Sequence, residues 1–153
     1  KNYQKAVEAF ESMISLNDTD FIKWGNLADG YRFTDNKNNI RAYQKAAELA
    51  EKAIQANPNN KYAIASLAYY YANLGNVKNS IDMANKITEN DIGEDSFQVA
   101  AAYAQLNMPK RAVKYLNYSL SKGYSITEIR SSPLFDNIKE SSEFLQLLTR
   151  SLK

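Results

Sequence analysis

Apolar residues recur along most of this chain at spacings of three and four, the pattern of amphipathic helices. Between positions 24 and 31 the large residues Trp24, Leu27 and Tyr31 fall with Ala28 on one stripe of a helix. The stripe returns twice, as Ile64, Leu67, Ala68 and Tyr71 and, weakened, as Ser96, Val99, Ala100 and Tyr103. The pattern therefore predicts a repeat array of helices.

Turn-forming residues separate the periodic segments and set their predicted ends. Pro58 stops one helix because proline cannot continue it, and Gly75 suits a left-handed cap. Pro109 suits a first helical position. The predicted helices span about 1–16, 21–33, 40–56, 61–74, 77–88, 94–106 and 109–122.

A period of about 34 residues relates these helices in pairs, each with a leading and a trailing helix. Ala46, Ser80 and Ala112 occupy one slot of successive trailing helices, at separations of 34 and 32 residues. The period and the stripe over 24–31 resemble the tetratricopeptide repeat. The trailing-helix signature of that family is matched by Ala46, Ala50, Ala53 and Pro58. The resemblance implies an all-α fold, a right-handed α-solenoid of antiparallel helix pairs.

The resemblance covers 1–122, with a partial repeat at 1–20 and repeats at 21–60, 61–92 and 93–122. Ala6 lies 40 residues before Ala46, so about six extra residues are expected in the 35–39 loop. In the last repeat, Ser96 takes the tryptophan slot and Asn107 the place of a turn glycine.

A C-terminal helical cap is predicted over 123–153, where the period stops. Ser125 and Glu128 have capping-box spacing, and Ser132-Pro133 offers another helix start. The tail resembles the one that closes such arrays in bacterial multidomain signalling proteins. The apolar residues expected to cover the open end of the stack are Phe135, Ile138, Phe144, Leu145, Leu147 and Leu148.

Composition argues against catalysis and against two classes of partner. The 153 residues include no cysteine and no histidine, which removes thiolate nucleophiles, Cys/His zinc sites and imidazole bases. We expect no enzymatic activity, cofactor or metal. The net charge is only +2, with 19 basic and 17 acidic residues interleaved, so no nucleic-acid partner is expected. No apolar run approaches the ~20 residues that span a bilayer, so no membrane partner is expected either.

A second stripe lies about 100° around each leading helix, and we call it the inner face. In the tetratricopeptide family this face lines a concave groove that holds extended or helical peptides. Small residues at Gly25, Ala65, Ala72, Ala101 and Ala104 are expected to leave room for a ligand backbone. The alternative is that the aromatic residues fill the groove against the chain's own tail. The candidate peptide-binding residues are Asp29, Arg32, Phe33, Tyr62, Tyr69, Asn73, Phe97 and Gln105.

The charges on the inner face bear on the kind of ligand. Some members of the family grip a terminal carboxylate, but here Asp29 and Glu94 would repel an anion. The expected ligand therefore has apolar side chains, or one basic residue facing Asp29.

Two functions remain open at this stage. The first is a non-catalytic protein- or peptide-binding scaffold within a larger protein. The alternative is a structural spacer or self-association domain of a multidomain signalling protein, in contact through the open N-terminal helix with Phe10 and Met13. The chain opens inside a helix, which suggests a piece excised from a longer protein. We expect it to be cytoplasmic, with a periplasmic or secreted location left open by the lack of cysteine.

Overall fold

The computed structural model describes residues 2–150, and the regular structure within that range is entirely helical. The predicted helix start at Lys1 and the last three residues of the predicted cap, 151–153, lie outside it. The elements are α1 (Tyr3–Leu16), α2 (Phe21–Phe33), α3 (Asn39–Ala56), α4 (Lys61–Asn73), α5 (Val77–Ala84), α6 (Gly93–Gln105), α7 (Pro109–Ser121), α8 (Ile126–Ser131), a 3-10 turn (Pro133–Phe135) and α9 (Ser142–Arg150). The all-α prediction is confirmed.

One helix end differs clearly from its prediction. The apolar pattern extends the fifth helix to Thr88, but α5 ends at Ala84. Beyond Ala84 the backbone continues as a turn, in which the amide of Lys86 donates to Met83 at 3.0 Å and that of Ile87 donates to Ala84 at 3.1 Å. The Tyr115 hydroxyl of α7 lies 3.2 Å from the carbonyl oxygen of Ala84 and 3.0 Å from that of Ile87, which is buried. The buried Ile87 thus belongs to a turn held against α7 and not to the helix.

The extra residues of the second repeat are mostly helical, so their placement in the 35–39 loop is wrong. α3 begins seven residues before Ala46, whereas α5 begins three residues before Ser80 and α7 three before Ala112. Four of the six extra residues thus form one added turn at the start of α3. Only two lengthen the loop.

Each leading helix packs against the trailing helix that follows it, in the pairs α2 with α3, α4 with α5 and α6 with α7. α1 packs on α2, and α3 packs on α4. The next step is different, because α6 packs mainly on α4 and hardly on α5. Small residues at the contacts, among them Ala28, Ala68 and Ala100, are fully buried and allow the helices to approach closely.

The turns inside the three pairs share one backbone feature. Asp35, Gly75 and Asn107 have φ angles of 53°, 74° and 55°, and each lies four residues after the tyrosine of its leading helix. Left-handed φ favours glycine, and asparagine and aspartate tolerate it better than other residues. The expected cap at Gly75 and the turn role of Asn107 are confirmed.

Those tyrosines also anchor each leading helix to the trailing helix before it. Tyr31 donates to Glu11 and Tyr71 donates to Glu51, each at 2.6 Å. Burial and then the neighbouring glutamate raise the pKa of each of these two tyrosines to about 12. In the last repeat Tyr103 donates to Asn85 at 3.4 Å. The same hydrogen bond therefore recurs with the period of the sequence.

The C-terminal segment covers two helices. Ser125 caps α8 by accepting from the amides of Thr127 and Glu128 at 3.2 and 3.4 Å. The 3-10 turn packs on α6 and α9 packs on α7. Leu145 is 47% exposed, contrary to its expected role in the cap. Four predicted cap residues are buried, namely Phe135, Ile138, Phe144 and Leu147. Within 2–150 no helix is both long and apolar enough to cross a bilayer.

Candidate ligand-binding face

Asp29 is the centre of a polar cluster on the inner face. The hydroxyl of Tyr69 on α4 donates to its Oδ1 at 2.6 Å, and the hydroxyl of Tyr43 on α3 donates to the same oxygen. The Nη2 of Arg32, one turn along α2, lies 3.9 Å away. Three helices therefore meet at one carboxylate, whose side chain is 21% exposed.

Burial dominates the electrostatics of this cluster. It raises the pKa of the Asp29 carboxyl, while the hydrogen bonds from Tyr43 and Tyr69 and the charge of Arg32 act in the opposite direction. Burial and the neighbouring charges also raise the pKa of both tyrosines. The two hydroxyls consequently stay protonated at neutral pH and serve as donors to Asp29.

Arg32 is held by contacts with three other residues. Its Nη1 donates to Gln105 on α6 at 3.0 Å, and its Nη2 donates to the Tyr69 hydroxyl at 3.1 Å. The guanidinium carbon lies 4.5 Å from the ring centre of Phe33. Its Nε is buried without a hydrogen-bond partner. The guanidinium is therefore held in one orientation, with one donor unused.

Asn73 lies next to this cluster on α4. Its Nδ2 donates to the backbone carbonyl of Tyr69 at 3.0 Å, one turn earlier. Its Oδ1 is buried and has no partner among the described residues. The face thus contains an unused donor on Arg32 and an unused acceptor on Asn73.

The C-terminal segment covers the part of the inner face contributed by α6. Tyr124 stacks on Phe97 with ring centres 4.5 Å apart, and Phe135 meets the same ring edge-on at 5.3 Å. Asn137 reaches Gln105, with 3.4 Å between its Nδ2 and Oε1 of the glutamine. At α6 the chain's own tail therefore covers the inner face, as in the alternative expectation.

Two of the predicted aromatic residues take no part in the hydrogen bonds of the Asp29 cluster. Tyr62, half-buried near the start of α4, has its ring centre 6.2 Å from that of Phe21. Burial, followed by the charges of Glu94 and Asp95, raises the pKa of Tyr62. Phe33 packs against Tyr3 of α1 at 5.0 Å between ring centres. Both rings remain partly exposed, so they are the aromatic part of the face that a ligand can reach.

The small residues do not leave room for a ligand backbone, so that expectation is wrong. A Cβ on Gly25 would lie 2.7 Å from the ring of Tyr70, whose hydroxyl donates to the carbonyl of Phe21 at 3.1 Å. The four alanines of this set, Ala65, Ala72, Ala101 and Ala104, are buried as well. Neighbouring side chains of the protein already occupy this space.

Sequence reasoning missed several residues on other elements that contact the predicted ligand residues. By its spacing, Tyr43 is one more large residue on the apolar stripe of α3. A buried tyrosine hydroxyl needs a hydrogen-bond partner, however, and this requirement was the signal that could have indicated its polar role. Tyr124 and Asn137 belong to the aperiodic tail, from which Phe135 was predicted only as part of the cap. Their positions on α6 depend on tertiary contacts that no local pattern encodes.

Open space adjoins the inner face at the turn between α2 and α3. A cleft of about 380 Å³ at the α2–α3 turn is lined by Arg32, the turn residues 35–37, Asn39 and Ile40. A second cleft of about 470 Å³, at Trp24 and Glu48, contains none of the predicted ligand residues. Within the part of the chain that the structure describes, no three acidic side chains approach closely enough to hold a metal ion.

The eight predicted ligand residues therefore fall into three groups. Asp29, Arg32, Tyr69 and Gln105 form one hydrogen-bonded cluster, with Asn73 beside it. Phe33 and Tyr62 are partly exposed rings, and Phe97 is covered by the tail. No model of a protein family matches the sequence, and no curated protein matches it.

Proposed function

We propose that residues 1–122 form a right-handed α-solenoid of tetratricopeptide type and that the protein is a non-catalytic protein- or peptide-binding module. The solenoid is supported by the three successive helix pairs and by their matching turns. The hydrogen bonds of Tyr31 and Tyr71, which repeat from one pair to the next, support it further. A rigid scaffold of this kind presents a continuous face to a partner.

The observation that carries the proposed site is the guanidinium of Arg32 against the partly exposed ring of Phe33. A second partly exposed ring, Tyr62, lies toward the other end of α2, near Phe21. Arg32 is 21% exposed, and the open cleft at the α2–α3 turn adjoins it. Phe33 and Tyr62 offer apolar surface on α2 and α4. Because the tail covers Phe97, the ligand lies along α2 and α4 and not along α6.

The cluster also narrows the chemistry of the ligand. A basic ligand residue at Asp29 would have to compete with two tyrosine hydroxyls and with Arg32. A ligand with apolar side chains can contact Phe33 and Tyr62 without breaking this cluster. The unused Oδ1 of Asn73 is buried beside this surface.

Selection from a displayed peptide library tests the proposed function. Peptides retained by the protein are measured by calorimetry against the parent and against F33A/Y62A, with V77A/I92A as a control that removes exposed apolar side chains elsewhere. We expect peptides rich in apolar residues, with affinity at least about tenfold weaker for F33A/Y62A, from loss of two contact rings at about 1 kcal/mol or more each. Equal affinities for the two double variants would refute the inner-face site.

Exposed residues on α1 favour a second candidate function, self-association as part of a larger assembly. Met13 is 43% exposed and Leu16 is 89% exposed on this amphipathic helix. Sedimentation velocity over a wide concentration range tests this candidate. A concentration-dependent mass that M13E/L16E abolishes would support it, and a monomer at every concentration would exclude it.

A further inference from the structure

We propose that the outer side of α7 is a second interaction surface, which binds an acidic segment of a protein partner. The surface, called here the α7 basic face, consists of Lys110, Arg111, Lys114, Tyr118 and Lys122. Four of these residues follow one another at intervals of four, so they lie on one side of the helix. The surface is separate from the inner face and does not depend on the function proposed for it.

The positive charge of the protein is concentrated on this face. Residues 96–127 contain four basic residues and no aspartate or glutamate. The whole chain has a net charge of +2, so the rest of the sequence has a net charge of −2. All four basic side chains belong to α7 or its C-cap, and all are exposed. A partner segment with negative charge is therefore attracted to this side of the molecule.

Aromatic rings hold the central cations in place. The guanidinium of Arg111 lies 5.6 Å from the ring centre of Tyr103. The ammonium of Lys114 lies 5.8 Å from the ring centre of Tyr115 and 5.7 Å from that of Tyr118. Cation–π contacts restrict these long side chains before a partner arrives, which lowers the entropy lost on binding.

The acidic groups near the face leave its centre unpaired. Glu143 of α9 lies near Lys110, whose charge contributes to the lowered pKa of this glutamate after the hydrogen bonds at the start of α9. Burial, and then the neighbouring Tyr103 and Tyr118, raise the pKa of Tyr115 to about 12, and the charge of Asp91 adds to this rise. In the described part of the chain no carboxylate lies within 4.0 Å of Arg111 or Lys114. These two cations are therefore available to a partner.

An apolar cleft adjoins the basic residues and adds a second element of recognition. Its volume is about 450 Å³, and Met108, Pro109, Lys110, Arg111 and Glu143 line it. An apolar side chain of the partner fits beside Met108 and Pro109 while neighbouring carboxylates pair with Arg111 and Lys114. The expected partner segment consequently has glutamates or aspartates around one large apolar residue.

Other anionic partners fit the face less well. The exposed large apolar residues of the described chain lie on other elements, so α7 offers no side chain to insert into a membrane. Tyr103 and Tyr115 are buried, which removes them as stacking platforms for the bases of a single strand. Four cations along a helix of about 20 Å are few for a nucleic-acid surface. An acidic protein segment is the partner favoured by these observations.

Fluorescence anisotropy with a labelled peptide of glutamates around one leucine tests the proposal at low salt. We expect R111A/K114A to bind about tenfold more weakly than the parent, as loss of two ion pairs implies. The control R41A/K45A removes two basic residues of α3 and should retain the parent affinity. Replacing the leucine of the peptide by serine should also weaken binding if the cleft is occupied. All variants are first matched in helical content and melting temperature.

Three results would overturn the proposal. Peptide binding that is absent, or weakened equally in both variants, would show no specific role of the face. Tighter binding of an oligothymidylate would assign the charge to nucleic acid. Tighter binding of vesicles of phosphatidylserine and phosphatidylcholine would assign it to a membrane surface.

Discussion

Arg32 on α2 donates a 3.0 Å hydrogen bond to Gln105 on α6, although 73 residues separate them. The same guanidinium contacts Tyr69 on α4 at 3.1 Å. One side chain thus ties together the leading helices of three successive pairs. Because Tyr69 also donates to Asp29, removal of any one member leaves a buried polar group without its partner.

Replacement of Tyr69 by phenylalanine tests the cluster. The change leaves the ring but removes a donor to Asp29 and an acceptor for Arg32. We expect the free energy of unfolding to fall by about 1–3 kcal/mol. Urea denaturation measures the change, with Tyr118→Phe as a matched control that should alter stability by less than about 0.5 kcal/mol. Equal effects of the two variants would contradict the cluster.

The raised pKa of the buried Asp95 is expected to make the stability of the protein depend on pH. Burial, and then the charges of Asp91 and Glu94, raise its pKa to about 6, while Lys61 acts weakly in the opposite direction. The value for an unfolded chain is about 3.9, so the fold favours the protonated carboxyl. Stability contributed by this group is complete below about pH 4 and is lost as the pH rises to about 6.

The variant Asp95→Asn removes this titration. We expect the free energy of unfolding of the parent to fall by about 1–2 kcal/mol relative to that of the variant between pH 4 and pH 7. This range allows for the favourable interaction of a negative charge with the first turn of α6. Thermal unfolding across this range measures the difference, and Asp82→Asn controls for loss of an exposed carboxylate. A constant difference at every pH would show that the pKa of Asp95 is not raised.

Gly30 of α2 lies close to Val7 of α1, so we expect substitutions at these two positions to have coupled effects on stability. A Cβ on Gly30 would lie 2.8 Å from Cγ2 of Val7 and 3.9 Å from its Cα and Cβ. Gly30→Ala alone should destabilise the protein by about 1–2 kcal/mol, because overpacking outweighs the gain in helix propensity. In V7A/G30A the clash is relieved, so we expect a favourable coupling of about 1 kcal/mol in a double-mutant cycle. Additive effects would place the two helices farther apart.

The buried position of Phe135 indicates that it holds the C-terminal tail on α6. It is 1% exposed and contacts the rings of Phe97 and Phe144 at 5.3 and 5.8 Å. Phe135→Ala should destabilise the protein by about 3–5 kcal/mol, whereas Leu145→Ala, at a half-exposed site, should change stability by less than about 0.5 kcal/mol. Chemical denaturation of both variants provides the comparison. A small effect at Phe135 would mean that the tail is loosely held.

Local signals predicted most of the helices, and long-range contacts account for the differences. The bounds of α2 match the predicted range, since Asp20 caps its start and the left-handed turn at Asp35 follows its end. The turn that follows the early end of α5 is held against α7 by Tyr115, which is distant in sequence. A periodic pattern reports which residues are buried, but not which partner helix supplies a hydrogen bond.

The candidate face was predicted only in part for the same reason. Arg32 and Gln105 lie on the inner stripe, and the structure brings them together. The role of Tyr43 as a donor to Asp29 required the relative placement of α2 and α3. The contact of Tyr124 with Phe97 required the path of the aperiodic tail. Neither follows from the spacing of residues along one helix.

The added turn at the start of α3 has a consequence for how such an array can change its length. Four residues are close to the 3.6 of one helical turn, so their insertion rotates the preceding part of the helix by only about 40°. Deleting all four from α3 would therefore keep the loop aligned with the helix, whereas deleting two would turn the loop to the opposite side. We therefore expect a length change of one whole turn at the start of α3 to leave the buried stripe through Ala46 and Ala50 in its present direction.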